Sequence, residues 1–268
     1  MLFSDLPLSR RLERAEGFAC VQQAEARLRH SPDSGAAWIE CGGAYAVFDG
    51  IESPCTQTFG LGLFEGLRPA ALDTIESFFC DRGAQVFHEV SPFAGVEALA
   101  LLCERGYRPI EITSILYQTV AQPADSLPSE VTIRVAGPDE ADLWSRINTR
   151  GWTHDHPELE SILLELGAVM ASRDQTVCFL GEIEGHPRAA GALCLHEGVA
   201  LFAGAATTPE FRGRGLQSAL LRERKRYAFE HECDLAMMGA LPGSNSQRNA
   251  ERSGFRIAYT RTKWQLFR

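Results

Sequence analysis

An apolar run ending at residue 206 passes through Thr207-Thr208-Pro209-Glu210-Phe211-Arg212-Gly213-Arg214-Gly215 and opens directly into Leu216-Gln217-Ser218-Ala219-Leu220-Leu221. A strand that turns through paired glycines straight into a helix commits the chain to an α/β arrangement and builds an anion cradle at the turn. Gly213 and Gly215 let the backbone curl through conformations closed to other residues and come close to a bulky anion. The first N–H groups of the helix and its positive dipole end then face the ligand, each such charge contact contributing about 0.3–1 kcal/mol when exposed. Arg212 and Arg214 add forked donors suited to phosphate oxygens. Neither the Walker pattern G-x-x-x-x-G-K-S/T nor the dinucleotide pattern G-x-G-x-x-G is written here. Taken alone, the short string also fits an ordinary basic turn.

The flanking elements narrow the choice. Strand-like runs at 177–183, 189–195 and 199–206 precede the cradle, with His-Pro and Glu-Gly turns between them. After it come a helix at 215–230 with Leu216, Ala219, Leu220 and Tyr227 on one face, an apolar run at 235–241, a helix at 246–253 closed by Gly254, and a strand at 255–267. In that context Arg212 to Gln217 resembles the pyrophosphate motif Q/R-x-x-G-x-G/A of the GNAT superfamily of acyl-CoA-dependent N-acyltransferases. The sixth place departs, with Gln217 where Gly or Ala is usual. Residues 242–255 resemble the last helix of that family, with Ser246 and Asn249 matching the positions that hold the pantetheine arm. An N-cap role for Asn245 or Ser246 is equally at home there.

The first half repeats the order in weaker form. A helical pattern at 8–29 is followed by strand-like runs at 36–48 and 55–64, a helix at 69–82, a strand at 85–90, a helix at 94–105 and a strand at 107–120. Leu101-Leu102-Cys103-Glu104-Arg105-Gly106-Tyr107-Arg108 runs in step with Asn249-Ala250-Glu251-Arg252-Ser253-Gly254-Phe255-Arg256. Where a cradle would lie, residues 60–69 carry one arginine, an acidic Glu65 and no motif match. The resemblance therefore implies a GNAT fold at 131–268 preceded by a degenerate GNAT-like domain at 1–120 without a cofactor site, joined by a polar linker at 121–130; an unrelated α/β lid is the alternative for the first half. The expected fold class is α/β, in the α+β sense of mixed sheets.

Charge follows the same division. Residues 1–130 hold 9 basic and 18 acidic side chains and residues 131–268 hold 17 of each, so the net charge of −9 belongs to the first half. An acidic chain without a basic stripe argues against nucleic acid, and no long apolar span points to a membrane. Arg222, Arg224 and Arg226 read as a solvated helix face. The eight cysteines are scattered without a C-x-x-C pair and read as reduced core residues of a cytoplasmic protein. His154-x-His156 lacks further ligands at metal spacing, so no metal is expected.

Acetyl-CoA is the cofactor the resemblance implies, held by Ala205, Thr207, Arg212, Gly213, Arg214, Gly215, Leu216, Gln217, Ser246 and Asn249, with Ala205 and Thr207 acting through backbone groups. The acceptor would be a small-molecule amine or an amino-terminal group attacking the thioester directly; assembly as a homodimer stays open. Two family side chains are missing. Ala250 stands where a proton-donating Tyr is common, and Leu201 where some members carry a Glu. Substitutes are sought in Thr149 to Glu158, the segment that commonly lines the acceptor pocket, with His154 and Asp155 as catalytic candidates beside Trp152 and His156; an exposed polar loop is the alternative. The missing acid and base also admit an acyl-CoA-binding sensor or pseudoenzyme. His186 and His196 fall in expected hairpin turns.

Overall fold

The structure, a computed structural model, describes residues 3–122, 130–154 and 157–267. Its elements in chain order are α1 (Leu6–His30), β1 (Ala37–Cys41), β2 (Ala44–Phe48), β3 (Gln57–Phe59), α2 (Pro69–Cys80), β4 (Phe87–Val90), α3 (Val96–Glu104) and β5 (Tyr107–Thr119). The second half continues with β6 (Val131–Val135), α4 (Ala141–Thr153), α5 (Glu160–Ala171), β7 (Thr176–Ile183), β8 (His186–His196), β9 (Val199–Thr207), α6 (Leu216–Glu230), β10 (Leu235–Ala240), α7 (Asn245–Arg252) and β11 (Arg256–Leu266). The fold class is α/β with mixed parallel and antiparallel pairing, as expected.

The chain forms two compact units, one of residues 1–117 and 239–268, the other of residues 118–238. These units do not coincide with the stretches 1–120 and 131–268 read as repeats. The reason lies in β11, which pairs antiparallel with both β4 and β5, so the last strand of the chain completes the sheet of the first half. Gly106 and Gly254 both adopt left-handed backbone, at φ 89° and 94°, and each turns a helix end into one of these long strands. The two segments aligned as repeats thus feed neighbouring strands of one sheet. Of the expected linker, residues 123–129 lie outside the described residues.

In the first unit the strand order is β1-β2-β3-β4-β11-β5. The sequence run at 36–48 is a hairpin rather than one strand, because Gly42 and Gly43 take φ 57° and 78° and reverse the chain. The run at 55–64 keeps only three strand residues before Gly60, at φ 76°, ends it. Phe59 and Val47 pack with Cys20, Val21 and Ala24 of α1, while Leu72, Ile75 and Phe79 of α2 and Leu102 of α3 pack with Ala46, Val90, Tyr107 and Trp264. Arg261 of β11 is buried among three carboxylates, with ion pairs to Glu13 at 3.2 Å, Glu16 at 2.7 Å and Glu89 at 2.9 Å.

In the second unit the order is β10-β9-β8-β7-β6. Glu184-Gly185 and Glu197-Gly198 take left-handed backbone and make the two hairpin turns. His186-Pro187 lies inside β8 rather than in a turn, a small correction to the expectation, because the turn needs two residues at positive φ and proline cannot supply one. Trp144 of α4 packs with Cys178, Leu180, Ala190 and Ala192. Leu216, Ala219 and Leu220 of α6 are buried, and Tyr227 meets Phe179 edge to face at 5.6 Å. Among the described residues no helix is long and apolar enough to cross a membrane.

Candidate active site

Strand β9 carries the irregularity from which the site is built. Its register with β8 slips between Ala190↔Ala206 and Ala192↔Ala203, so Gly204 and Ala205 together oppose Gly191. Gly204 sits at φ 53°, and a Cβ there would lie 3.0 Å from Met170 Sδ and 3.2 Å from Trp144 Cη2. Conformation and space both require glycine. On its other edge β9 pairs in parallel with β10, from Leu235↔Val199 to Met237↔Leu201. Beyond Leu201 that edge has no strand pairing among the described residues of the unit. Thr208 N–H donates to Arg188 O at 2.9 Å; by the alternation of an antiparallel ladder, Thr207 then turns its N–H and C=O away from β8.

The edge leads straight into the cradle. Residues Pro209–Phe211 form one 3-10 turn, Arg212 is extended, Gly213 and Gly215 take φ 78° and 83°, and Gly215 is the N-cap of α6 with no side-chain cap bond. The first-turn N–H groups of α6 therefore point outward without an intrahelical acceptor. A Cβ on either glycine would meet nothing within 4 Å, so the left-handed backbone, not crowding, is what selects glycine here. Arg214 is exposed, 5.5 Å from the Phe211 ring and 3.9 Å from Glu130. Arg188 covers the same ring at 4.4 Å.

Arg212 behaves differently from a free phosphate donor. Its guanidinium donates to Gly151 O at 2.8 Å and Thr207 O at 3.5 Å, tying the end of α4 to the end of β9. Gln217, the departure from the motif, donates from Nε2 to Thr207 Oγ1 at 2.8 Å. The larger side chain is thus turned toward the strand and leaves the cradle mouth open. Leu216 is buried beneath the turn. The structure brings Ala205, Thr207 and Arg212 through Gln217 together in one unit. Ser246 and Asn249 are exposed on α7 of the other unit, where Ser244, not Asn245 or Ser246, is the N-cap and accepts from Gln247 N–H at 3.2 Å.

Helix α4 runs further than a loop reading of 149–158 expected and ends at Thr153. Gly151 lets it rest on the strand: a Cβ there would overlap Ala206 Cβ and lie 3.1 Å from Thr207 N. That close-approach glycine was missed in the sequence, because a glycine inside a helical pattern carries no signal of what crosses it. His154 caps α4 and is exposed, as is Trp152. Arg150 pairs with Glu210 at 2.8 Å; Glu210's carboxyl lies below its ordinary range through a backbone hydrogen bond first, then the bond from Arg150, with His154 adding to the effect. Asp155 and His156 lie outside the described residues.

The two positions where the resemblance would place an acid and a base are closed to that work. Leu201 and Ala250 are buried, Ala250 completely. A third finding overturns an expectation: Arg224 is not on a solvated face but only 1% exposed. It follows Leu216 and Leu220 at intervals of four, which places it on the buried stripe of α6. The helical spacing carried that signal and the residue type hid it. The cysteines divide, with Cys20, Cys178, Cys194 and Cys233 buried and Cys80 and Cys103 exposed. Burial pushes the Cys178 thiol up to about 12, so it is inert as a nucleophile.

Residues 141–255 match the family model described as Acetyltransferase (GNAT) family. Among solved structures, the chain is similar to a GCN5-related N-acetyltransferase from Kribbella flavida, at 19% identity and TM-score 0.68, with 96% of this chain and 95% of that one covered. It is similar also to a tandem GNAT protein from the clavulanic acid biosynthesis pathway, at 13% identity and TM-score 0.60, covering 98% and 96%. A third likeness is to a GCN5-related N-acetyltransferase from Sphaerobacter thermophilus, at 17% identity and TM-score 0.55, covering 94% and 91%. No curated protein sequence matches this chain. Residues 141–255, which include the cradle, thus match the GNAT family model, a family whose acyl donor is acetyl-CoA, and the chain shares its fold along nearly its whole length with GNAT structures, one of them a tandem protein.

Proposed function

We propose that the chain is an acetyl-CoA-dependent N-acetyltransferase that moves an acetyl group to a primary amine, of a small molecule or an amino terminus, by direct attack. The observation that carries this reading is the open edge of β9 running without a break into the glycine-hinged N-terminus of α6. An extended pantetheine arm has amides to pair with such an edge, as a peptide strand would. Thr207 and Ala205 would supply those backbone bonds, and the N–H groups of residues 213–217 would hold the pyrophosphate. Arg214 would add charge, while Arg212 would shape the cradle by tying α4 to β9. One cofactor per chain is expected, because residues 60–69 lack the paired arginines.

In the reaction the amine nitrogen bonds to the thioester carbonyl carbon, the C–S bond breaks, and the thiolate leaves. A thiol of pKa about 8.5 departs without a strong acid, so Ala250 is tolerable. The amine must arrive neutral and give up one proton, to water or to His154 or Asp155. With Leu201 apolar, amines of pKa near about 8 should be favoured over lysine-like amines near about 10.4. Release of free CoA from acetyl-CoA, measured against a panel of amines of graded pKa, tests the proposal: kcat/KM should rise with pH as each amine deprotonates. A second reading, an acyl-CoA sensor without turnover, is favoured by the buried Leu201 and Ala250. Tight acetyl-CoA binding with no CoA release for any amine would select it.

A further inference from the structure

The buried Arg224 sits behind the β9 bulge. Its Nη1 donates to Ala192 O at 3.0 Å and Ala203 O at 3.4 Å, and its Nε donates to Leu220 O at 3.2 Å. Its guanidinium carbon lies 4.8 Å from the Phe202 ring centre. A Cβ on Gly191 would lie 3.3 Å from that same carbon, so the glycine opposite the bulge is also the one that admits the arginine. Trp144 of α4 adds a third bond at the bulge, from Nε1 to Gly191 O at 3.2 Å. The carbonyls of Gly191, Ala192 and Ala203 are thus held by two side chains, one from α4 and one from α6.

A lone buried guanidinium is an expensive way to stabilise a sheet. Among the described residues its hydrogen-bond partners are all carbonyl oxygens, with no carboxylate to balance the charge. Burial lowers its pKa to about 9, which still leaves the group charged at neutral pH. A buried charge is ordinarily paired, because an unpaired one carries its desolvation cost with no opposite charge to offset it. A donor on Ala203 O also polarises the peptide that links it to Gly204, and hydrogen bonds in series strengthen one another.

We propose that Arg224 is a positioning residue for acyl transfer, fixing the β9 bulge and polarising its peptides so that the N–H groups at 204–205 meet the thioester carbonyl as it gains negative charge. The inference rests on the proposed acetyl-CoA site. Its effect belongs to the transition state, in the manner of a prearranged donor that strengthens as charge develops. The cofactor's pyrophosphate, held some residues away at 212–217, gains nothing from it.

The test compares full-length wild type with Arg224→Leu, Arg224→Lys and Trp144→Phe. Arg224→Leu should lower kcat at least tenfold and leave the calorimetric Kd for CoA within twofold. Arg224→Lys should recover most of the lost rate, and Trp144→Phe, which removes the bond to Gly191 O, should lower kcat without changing Kd. A readout independent of turnover uses a ketone analogue of acetyl-CoA carrying ¹³C at the carbonyl: on binding wild type its resonance should move downfield, and in Arg224→Leu at least half of that shift should vanish. If Arg224→Leu does not fold, the loss of that shift in Trp144→Phe decides. An unchanged shift and kcat, or kcat and Kd weakening in parallel, overturns the inference. Failure of wild type to bind the analogue would instead refute the proposed function.

Discussion

Gly215 offers the sharpest test of the cradle, because its two possible roles separate by substitution. At φ 83°, with no heavy atom within 4 Å of where a Cβ would stand, the unliganded fold asks only that the residue tolerate left-handed backbone. Alanine and aspartate share that cost, about 1–2 kcal/mol, which for a chain of this size lowers Tm by about 2–8 °C at about 2–4 °C per kcal/mol. They differ in charge. A carboxylate about 4 Å from one phosphate charge is repelled by about 1 kcal/mol in bulk water and about 4 kcal/mol at an effective dielectric of 20. The exposed cradle lies between, and every 1.4 kcal/mol is tenfold, so Gly215→Asp should weaken acetyl-CoA at least about tenfold relative to Gly215→Ala. Titration calorimetry with acetyl-CoA on both variants, each checked by thermal melting, measures the ratio. Equal affinity of the two variants at equal Tm would refute the assignment of the pyrophosphate to the N-terminus of α6.

Three further outcomes are expected. A chain beginning at residue 131 would carry β11 without β4 and β5, its partners on both edges, and should elute as aggregate in size-exclusion chromatography; a soluble monomer would contradict the pairing. Ala250→Tyr, which would restore the family's acid, should instead cost about 1–3 kcal/mol by overpacking a fully buried position, read as a lowered urea midpoint without a gain in kcat. Glu13 has its pKa raised from 4.5 to about 7, chiefly by burial and against the pull of Arg261, so the folded state holds the proton more tightly than the unfolded one. Stability linked to it is full below pH 4.5 and is lost as pH rises toward about 7. The Tm of Glu13→Gln minus that of wild type should therefore increase between pH ~5 and ~8, and a flat or falling difference would show that the carboxyl is ionised throughout.

The sequence by itself determined what depends on local geometry. Arg212 to Gln217 announced a glycine-hinged helix start because positive φ at two positions leaves few residues to choose from, and both glycines have it. The order of strands and helices was legible for the same reason, through periods of two and of 3.6 residues. Tertiary structure decided the rest. Nothing in residues 256–266 says that they pair with β4 and β5, since a strand's hydrogen bonds are backbone groups common to every sequence. Gly151 and Gly204 gained their meaning from Thr207, Trp144 and Met170, residues brought against them only by packing. Arg224 makes the point most directly: its spacing lay in the sequence, but its charge argued for water, and only the bulge carbonyls of Ala192 and Ala203 explain why it turns inward.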